Sequence, residues 1–192
     1  VAREYGAIER AHQNLDRMEA YATQPDLTIS TELPFVLTRQ FDAPRDLVFK
    51  VFSEAEHLAH WWGPKDMMIT VKTLEFRPGG SFHYKMVAEN GYTMWAKFLY
   101  RDIIAPEKIV FVNSFSDEEG NITPPPFPDP WPLEIYYIFT LKEAGCKTIL
   151  TIQSVPIHAN SEQRQTFING FSSMQDGFGG TLDQLKDYLS TL

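Results

Sequence analysis

Cysteine is almost missing from this chain of 192 residues; Cys146 stands alone. One thiol excludes an intrachain disulfide and any multi-cysteine metal site, and it fits a reducing compartment. Positive charge is scarce too, with 17 Lys and Arg against 25 Asp and Glu and a formal net charge of −8. Phosphate backbones are held by clustered Lys and Arg, so a nucleic-acid partner is not expected. No apolar run is long enough to cross a bilayer, which argues against membrane insertion. No secretory leader is visible, and the default localisation is cytoplasmic.

The usual catalytic and metal signatures are also absent. No serine sits in a G-x-S-x-G elbow, and Cys146 falls in a predicted turn with no base beside it. Neither Gly79-Gly80 nor the glycines from Gly177 to Gly180 have the strand–glycine–lysine order of a phosphate loop. Glu54, His57 and His60 repeat at three-residue steps, but zinc needs three or four converging ligands, and a short helix with these residues on its surface is the simpler reading. The expectation is therefore no metal and no cofactor. What the chain has in quantity is aromatic surface: 14 Phe, 8 Tyr and 4 Trp. Such rings fill a core or line an apolar pocket, and counts do not separate the two.

Periodicity orders the chain. Residues 1 to 24 read as an amphipathic helix with a thin apolar stripe (Tyr5, Ile8, Leu15, Met18), ended by Gln24-Pro25-Asp26. Phe35, Leu37, Arg39 and Phe41 alternate as a first strand. Asp42-Ala43-Pro44 opens a helix with Pro44 near its first turn, and Ser53 is the expected N-cap of a second short helix that stops at Trp61-Trp62-Gly63-Pro64. A meander follows: Met68–Phe76, Ser81–Ala88, Tyr92–Ile104, Lys108–Phe115, Leu133–Leu141 and Thr148–Val155, with Asn90-Gly91 a strong hairpin signal. Between the last two hairpins, Thr123 to Pro132 carries six prolines and reads as a stiff rim loop presenting Phe127 and Trp131. From Gln163 to Leu192 a stripe of Phe167, Phe171, Met174, Phe178, Leu182, Leu185 and Leu189 marks one long helix, interrupted by Gly170, Gly177, Gly179 and Gly180. A single helix after a curved antiparallel sheet packs on the concave face.

Several segments together resemble a known family. Thr38-Arg39-Gln40-Phe41-Asp42-Ala43-Pro44, Val48-Phe49, His57-Leu58 and Trp61-Trp62-Gly63-Pro64 look like the opening of START-like (SRPBCC) domains, in the branch of the activator of heat-shock protein 90 ATPase homologues. Arg77-Pro78-Gly79-Gly80, Pro106 to Phe111 and Gly177 to Leu185 continue the likeness in order, so that it spans Phe35 to Leu192. Phe178 stands where similar sequences often carry Trp. The resemblance implies an α+β helix-grip fold: a curved antiparallel sheet of about six to seven strands around a long C-terminal helix, with two short helices after the first strand. It divides the chain into an N-terminal extension, residues 1–30, and a START-like domain, residues 31–192. It also implies a cavity for a small apolar or lipid-like molecule.

Strand parity and the helix stripe nominate Trp61, Trp62, Phe82, Tyr84, Met94, Phe98, Trp131, Tyr137, Phe139, Met174 and Phe178 as cavity residues. His83 falls on the opposite face from Tyr84. Whether these side chains interlock as a core or leave a pocket is open at this level. The leading functional expectation is a small-molecule-binding protein. An alternative is a polyketide cyclase- or hydratase-like enzyme using a cavity acid–base group such as Tyr84. A co-chaperone stimulating the heat-shock protein 90 ATPase is disfavoured, because only about thirty residues precede the match where such activators carry a further domain. The N-terminal stripe leaves a homodimer open as a partner.

Overall fold

The computed structural model describes residues 33–192, so the expected N-terminal helix lies outside the described residues. Within them the order is β1 (Phe35–Phe41), α1 (Arg45–Ser53), α2 (Ala55–Trp61), β2 (Met67–Leu74), β3 (Ser81–Ala88), β4 (Thr93–Ile104), β5 (Lys108–Ser116), β6 (Glu134–Ala144), β7 (Lys147–Ile157), α3 (Ser161–Asn169) and α4 (Phe171–Leu189). The strands form one seven-stranded sheet in the order β1-β7-β6-β5-β4-β3-β2, and every pairing is antiparallel. This is the helix-grip architecture, with α4 lying across the concave face.

The hairpins follow their turn chemistry. Gly91 and Gly145 both have positive φ, at 82° and 66°, a region a side chain rarely adopts. The β6–β7 hairpin runs three residues further at its tip than the alternation suggests, through Ala144 and Lys147. Cys146 is exposed in the turn beyond it. Ser53 does not cap α2. Its hydroxyl donates to the carbonyl of Lys50, 2.8 Å away, so it closes α1, and Glu54 begins α2 without a side-chain cap.

The largest departure from the sequence reading is at the C-terminus, where the expected single helix is two. Asn160 and Gln163 form a reciprocal capping box that starts α3. The break falls at Gly170, and the reason is steric. A Cβ there would stand 2.9 Å from Cζ3 of Trp131. The proline-rich loop therefore presses an indole against the helix joint, and only glycine leaves the space. Trp131 in turn tilts against Phe167 at 5.5 Å, and Phe127 meets both Phe115 and Trp131.

The core sits between the sheet and the helices. Val48, Val51 and Phe52 of α1, Leu58 of α2, Leu182 and Leu185 of α4 and the inward residues of β3 to β7 are buried together. Burying each such large side chain stabilises the fold by about 2–3 kcal/mol.

Candidate functional site

Beneath α4 the packing stops short of filling the interior. A cavity of about 240 Å³ lies between α4, the concave face of β3 to β6 and the Trp62–Pro64 segment. Its walls are Trp62, Gly63, Pro64, Tyr84, Met86, Phe98, Phe111, Asn113, Tyr137, Met174, Gly177, Phe178 and Thr181.

Each wall has a local cause. On the sheet side, register brings Tyr84 opposite Ala96, Phe98 opposite Asn113 and Phe111 opposite Tyr137. Cross-strand partners point to one face, so these side chains converge. Phe111 lies between Phe98 (centroids 4.0 Å, planes 21° apart) and Tyr137 (5.3 Å, 15°), making a row of nearly parallel rings across three strands. On the helix side, Phe178 meets Tyr137 at 5.8 Å and stacks on Phe35. Gly177 leaves room, since a Cβ there would meet nothing within 4 Å.

At the third wall, Gly63 adopts φ +95°, and a Cβ on it would stand 2.6 Å from Cδ1 of Ile69. Its carbonyl accepts from Thr181 Oγ1 at 2.9 Å and from Gln184 Nε2 at 2.8 Å. The turn after α2 is thereby hooked to α4.

The two adjacent tryptophans separate in role. Trp61 ends α2, is 1% exposed, and donates its N–H to the carbonyl of Val51 at 3.2 Å, with its ring edge-on to Phe52. Trp62 has already turned extended, with φ −73° and ψ 142°. Its ring leaves the helix and meets Phe98 at 5.3 Å on the cavity side. Its indole N–H is buried and makes no hydrogen bond of ordinary geometry to the protein. It nonetheless lies close enough to the Tyr84 hydroxyl to offset a little of the effect of burial on that phenol. Burial dominates there and pushes Tyr84 up to about 12. Tyr137 is raised as well, again chiefly by burial, with Ser154 opposing. Both phenols carry their protons at neutral pH.

Of the residues nominated from sequence, Trp62, Tyr84, Phe98, Tyr137, Met174 and Phe178 line the cavity, and the other five do not. Trp61 is locked to Val51 inside the core. Phe82 is fully buried and stacks on the far side of Tyr84 at 4.4 Å. Phe139 packs between Phe52 and Phe111, deeper in the core. Met94 sits opposite Met86 in the register of β3 and β4, and of the two only Met86 lines the cavity. Trp131 is committed to Gly170 and Phe167. Among the lining residues outside that set, Met86 follows from strand parity. Phe111 and Asn113 are hidden by the apolar run Ile109-Val110-Phe111-Val112, which has no alternation to read. Gly177 and Thr181 carry no apolar signal at all.

The other candidates are structural. His83 is buried on the opposite face, as parity expects, with Nε2 3.1 Å from the carbonyl of Asp117 and 3.2 Å from Ser116 Oγ. Burial lowers its pKa, Lys72 and Lys97 adding to the effect. His57 shares a 2.7 Å hydrogen bond with the Tyr188 hydroxyl, and His60 stacks on the same ring at 5.1 Å, fastening α2 to the end of α4. Among the described residues no three His, Cys, Asp or Glu side chains gather closely enough to hold a metal ion, and no helix is long and apolar enough to cross a membrane.

Comparison with known proteins agrees with this geometry. A family described as "Activator of Hsp90 ATPase homolog 1-like protein" matches residues 42–190. A protein from Arthrobacter aurescens solved by NMR is 26% identical, with a TM-score of 0.70 over 88% of this chain and 94% of its own. A crystal structure from Mycobacterium smegmatis is 22% identical, with a TM-score of 0.64 over 79% of this chain and 87% of its own. The AHSA1 protein from Silicibacter pomeroyi, 16% identical, shares the fold at a TM-score of 0.62 over 83% of this chain and 99% of its own. Among curated proteins none matches the chain.

Proposed function

The chain belongs to the Activator of Hsp90 ATPase homolog 1-like family, and from that premise we propose that it is a small-molecule-binding protein whose ligand occupies the cavity under α4. The START-like fold of this family is a ligand-binding one. The observation that carries the reading for this chain is the cavity itself: about 240 Å³ walled mainly by aromatic rings and methionines, with a helix that leaves Gly177 bare beside it. Concave, mainly apolar walls with a few polar groups are the usual lining of a small-molecule site.

The lining favours binding over catalysis. Its only titratable side chains are Tyr84 and Tyr137. Burial keeps both protonated, so they can donate a hydrogen bond but cannot take a proton from carbon at neutral pH. A cyclase or hydratase of the acid–base type needs a base that this wall does not supply.

Native mass spectrometry of freshly purified protein, followed by thermal shift against a panel of apolar molecules, tests the reading. A co-purified small molecule, or a raised melting temperature with at least one panel member, is expected. Neither appearing would overturn it.

A further inference from the structure

Five residues with polar side chains line the cavity: Trp62, Tyr84, Asn113, Tyr137 and Thr181. Four of them have polar company inside the protein. The Thr181 hydroxyl is shared between the carbonyls of Gly63 and Gly177. The Trp62 N–H lies beside the Tyr84 hydroxyl, and the hydroxyl of Ser154 lies beside that of Tyr137. Asn113 is the exception. Its carboxamide makes no hydrogen bond with any described residue. The residue is half-buried, and its polar atoms are not sealed in the wall as the Trp62 nitrogen is. Nothing local calls for an amide at this position. Asparagine is depleted in strands, yet Asn113 stands inside β5, opposite Phe98 on one side and Ile135 on the other. An apolar side chain would pack on both of those partners and lose no hydration in doing so. The fold gains nothing from the amide, so its use lies with what enters the cavity.

We propose that Asn113 is the specificity-determining residue of the cavity, and that the ligand is a neutral, mainly apolar molecule carrying an amide or lactam whose N–H and C=O pair with the Asn113 oxygen and nitrogen. This rests on the ligand-binding reading above and goes further by naming the polar group of the ligand and the side chain that selects it. A carboxamide presents an acceptor oxygen and a donor nitrogen on one carbon. A ligand with only an acceptor, such as a ketone or ester, would bury the Asn113 oxygen without a partner, and an unmade hydrogen bond in a closed site counts against binding. A lactam answers both atoms at their own spacing. Neutrality follows from the walls, which hold no Lys, Arg or His; a carboxylate would lose its hydration with no cation to replace it. Size follows from volume. A cavity of roughly 150 Å³ accommodates benzene, so this one, of about 240 Å³, suits a molecule of about ten to twelve non-hydrogen atoms.

The test uses three probes of nearly one shape: the lactam hydrocarbostyril, its N-methyl derivative, which cannot donate, and tetralin, which has no polar group. Titration calorimetry on the full chain should find the lactam bound about tenfold more tightly than the N-methyl compound, the worth of one good hydrogen bond in a dry site. Asn113→Leu should bring the lactam and N-methyl affinities within about twofold of each other, bind tetralin at least as well as the parent, and keep the melting temperature of the parent, which a structural role for the amide would lower. As a readout that needs no variant to be stable, one pair of side-chain amide resonances should shift with the lactam and stay in place with tetralin. Equal affinity of the parent for the lactam and its N-methyl derivative, or a preference that survives in Asn113→Leu, overturns the Asn113 inference and leaves the cavity reading standing. So does a co-purified molecule that has no N–H. Binding of none of the three, with no co-purified molecule, overturns both.

Discussion

Gly177 offers a perturbation in which stability and binding should move in opposite directions. It lies in the middle of the 19-residue helix α4, where glycine costs about 1 kcal/mol relative to alanine. A Cβ at this position meets nothing within 4 Å. Gly177→Ala should therefore recover about 0.5–1 kcal/mol, which at roughly 2–4 °C per kcal/mol for a domain of this size raises the melting temperature by about 1–4 °C. Gly177→Leu keeps most of that gain but puts a branched side chain beside the cavity, and should abolish the thermal shift given by any apolar molecule that binds the parent. Gly170→Ala is the control. Its backbone is right-handed at φ −80°, so alanine fits the conformation, but the new methyl would stand 2.9 Å from the Trp131 ring. Overpacking of that kind costs about 1–3 kcal/mol, which outweighs the helix-propensity gain and reverses the sign. Thermal unfolding and calorimetry on the three variants decide the matter. A destabilised Gly177→Ala would refute the claim of open space, and a stabilised Gly177→Leu that binds the same apolar molecules as the parent would refute the cavity as the site.

Two further outcomes follow from the electrostatics. Because the folded pKa of Tyr84, about 12, lies above its ordinary value of 10.0, the fold favours the protonated phenol; its contribution, about 2–3 kcal/mol, is complete below pH 10 and is lost as pH rises from there through the folded value. Urea midpoints measured from about pH 9 to about pH 11 should fall more steeply for the parent than for Tyr84→Phe, and equal slopes would show that Tyr84 titrates as if exposed. Arg39 of β1 reaches α4 through a 3.0 Å contact with Asp183, but the two side chains are 35% and 64% exposed. Asp183→Asn should change stability by less than about 1 kcal/mol, and a loss above about 2 kcal/mol would make this pair a clamp between edge strand and helix rather than a solvated contact.

Local rules carried much of this protein into view from its sequence. Alternation in Phe35–Phe41 and around Tyr84, the Asn90-Gly91 turn and the heavy stripe from Phe167 to Leu189 depend on interactions within a few residues, so the strands, their hairpins and the C-terminal helical region are legible without a structure. The ordered motifs supplied the helix-grip fold. Parity even put His83 behind Tyr84, because side chains on a strand alternate whatever lies beyond them.

The remainder depended on atoms far apart in sequence. Which tryptophan faces the cavity was decided by where α2 stops: one residue of helix leaves Trp61 against Val51, and one extended residue turns Trp62 the other way. The helix break at Gly170 was decided by Trp131, thirty-nine positions earlier, arriving from the proline-rich loop. Cavity and core were indistinguishable in the sequence because both call for the same aromatic residues at the same parity. Only the three-dimensional packing showed that Phe98, Phe111 and Tyr137 face Gly177 and Met174 across about 240 Å³. A residue pattern specifies which side chains turn inward; whether they meet is a property of the volume between them.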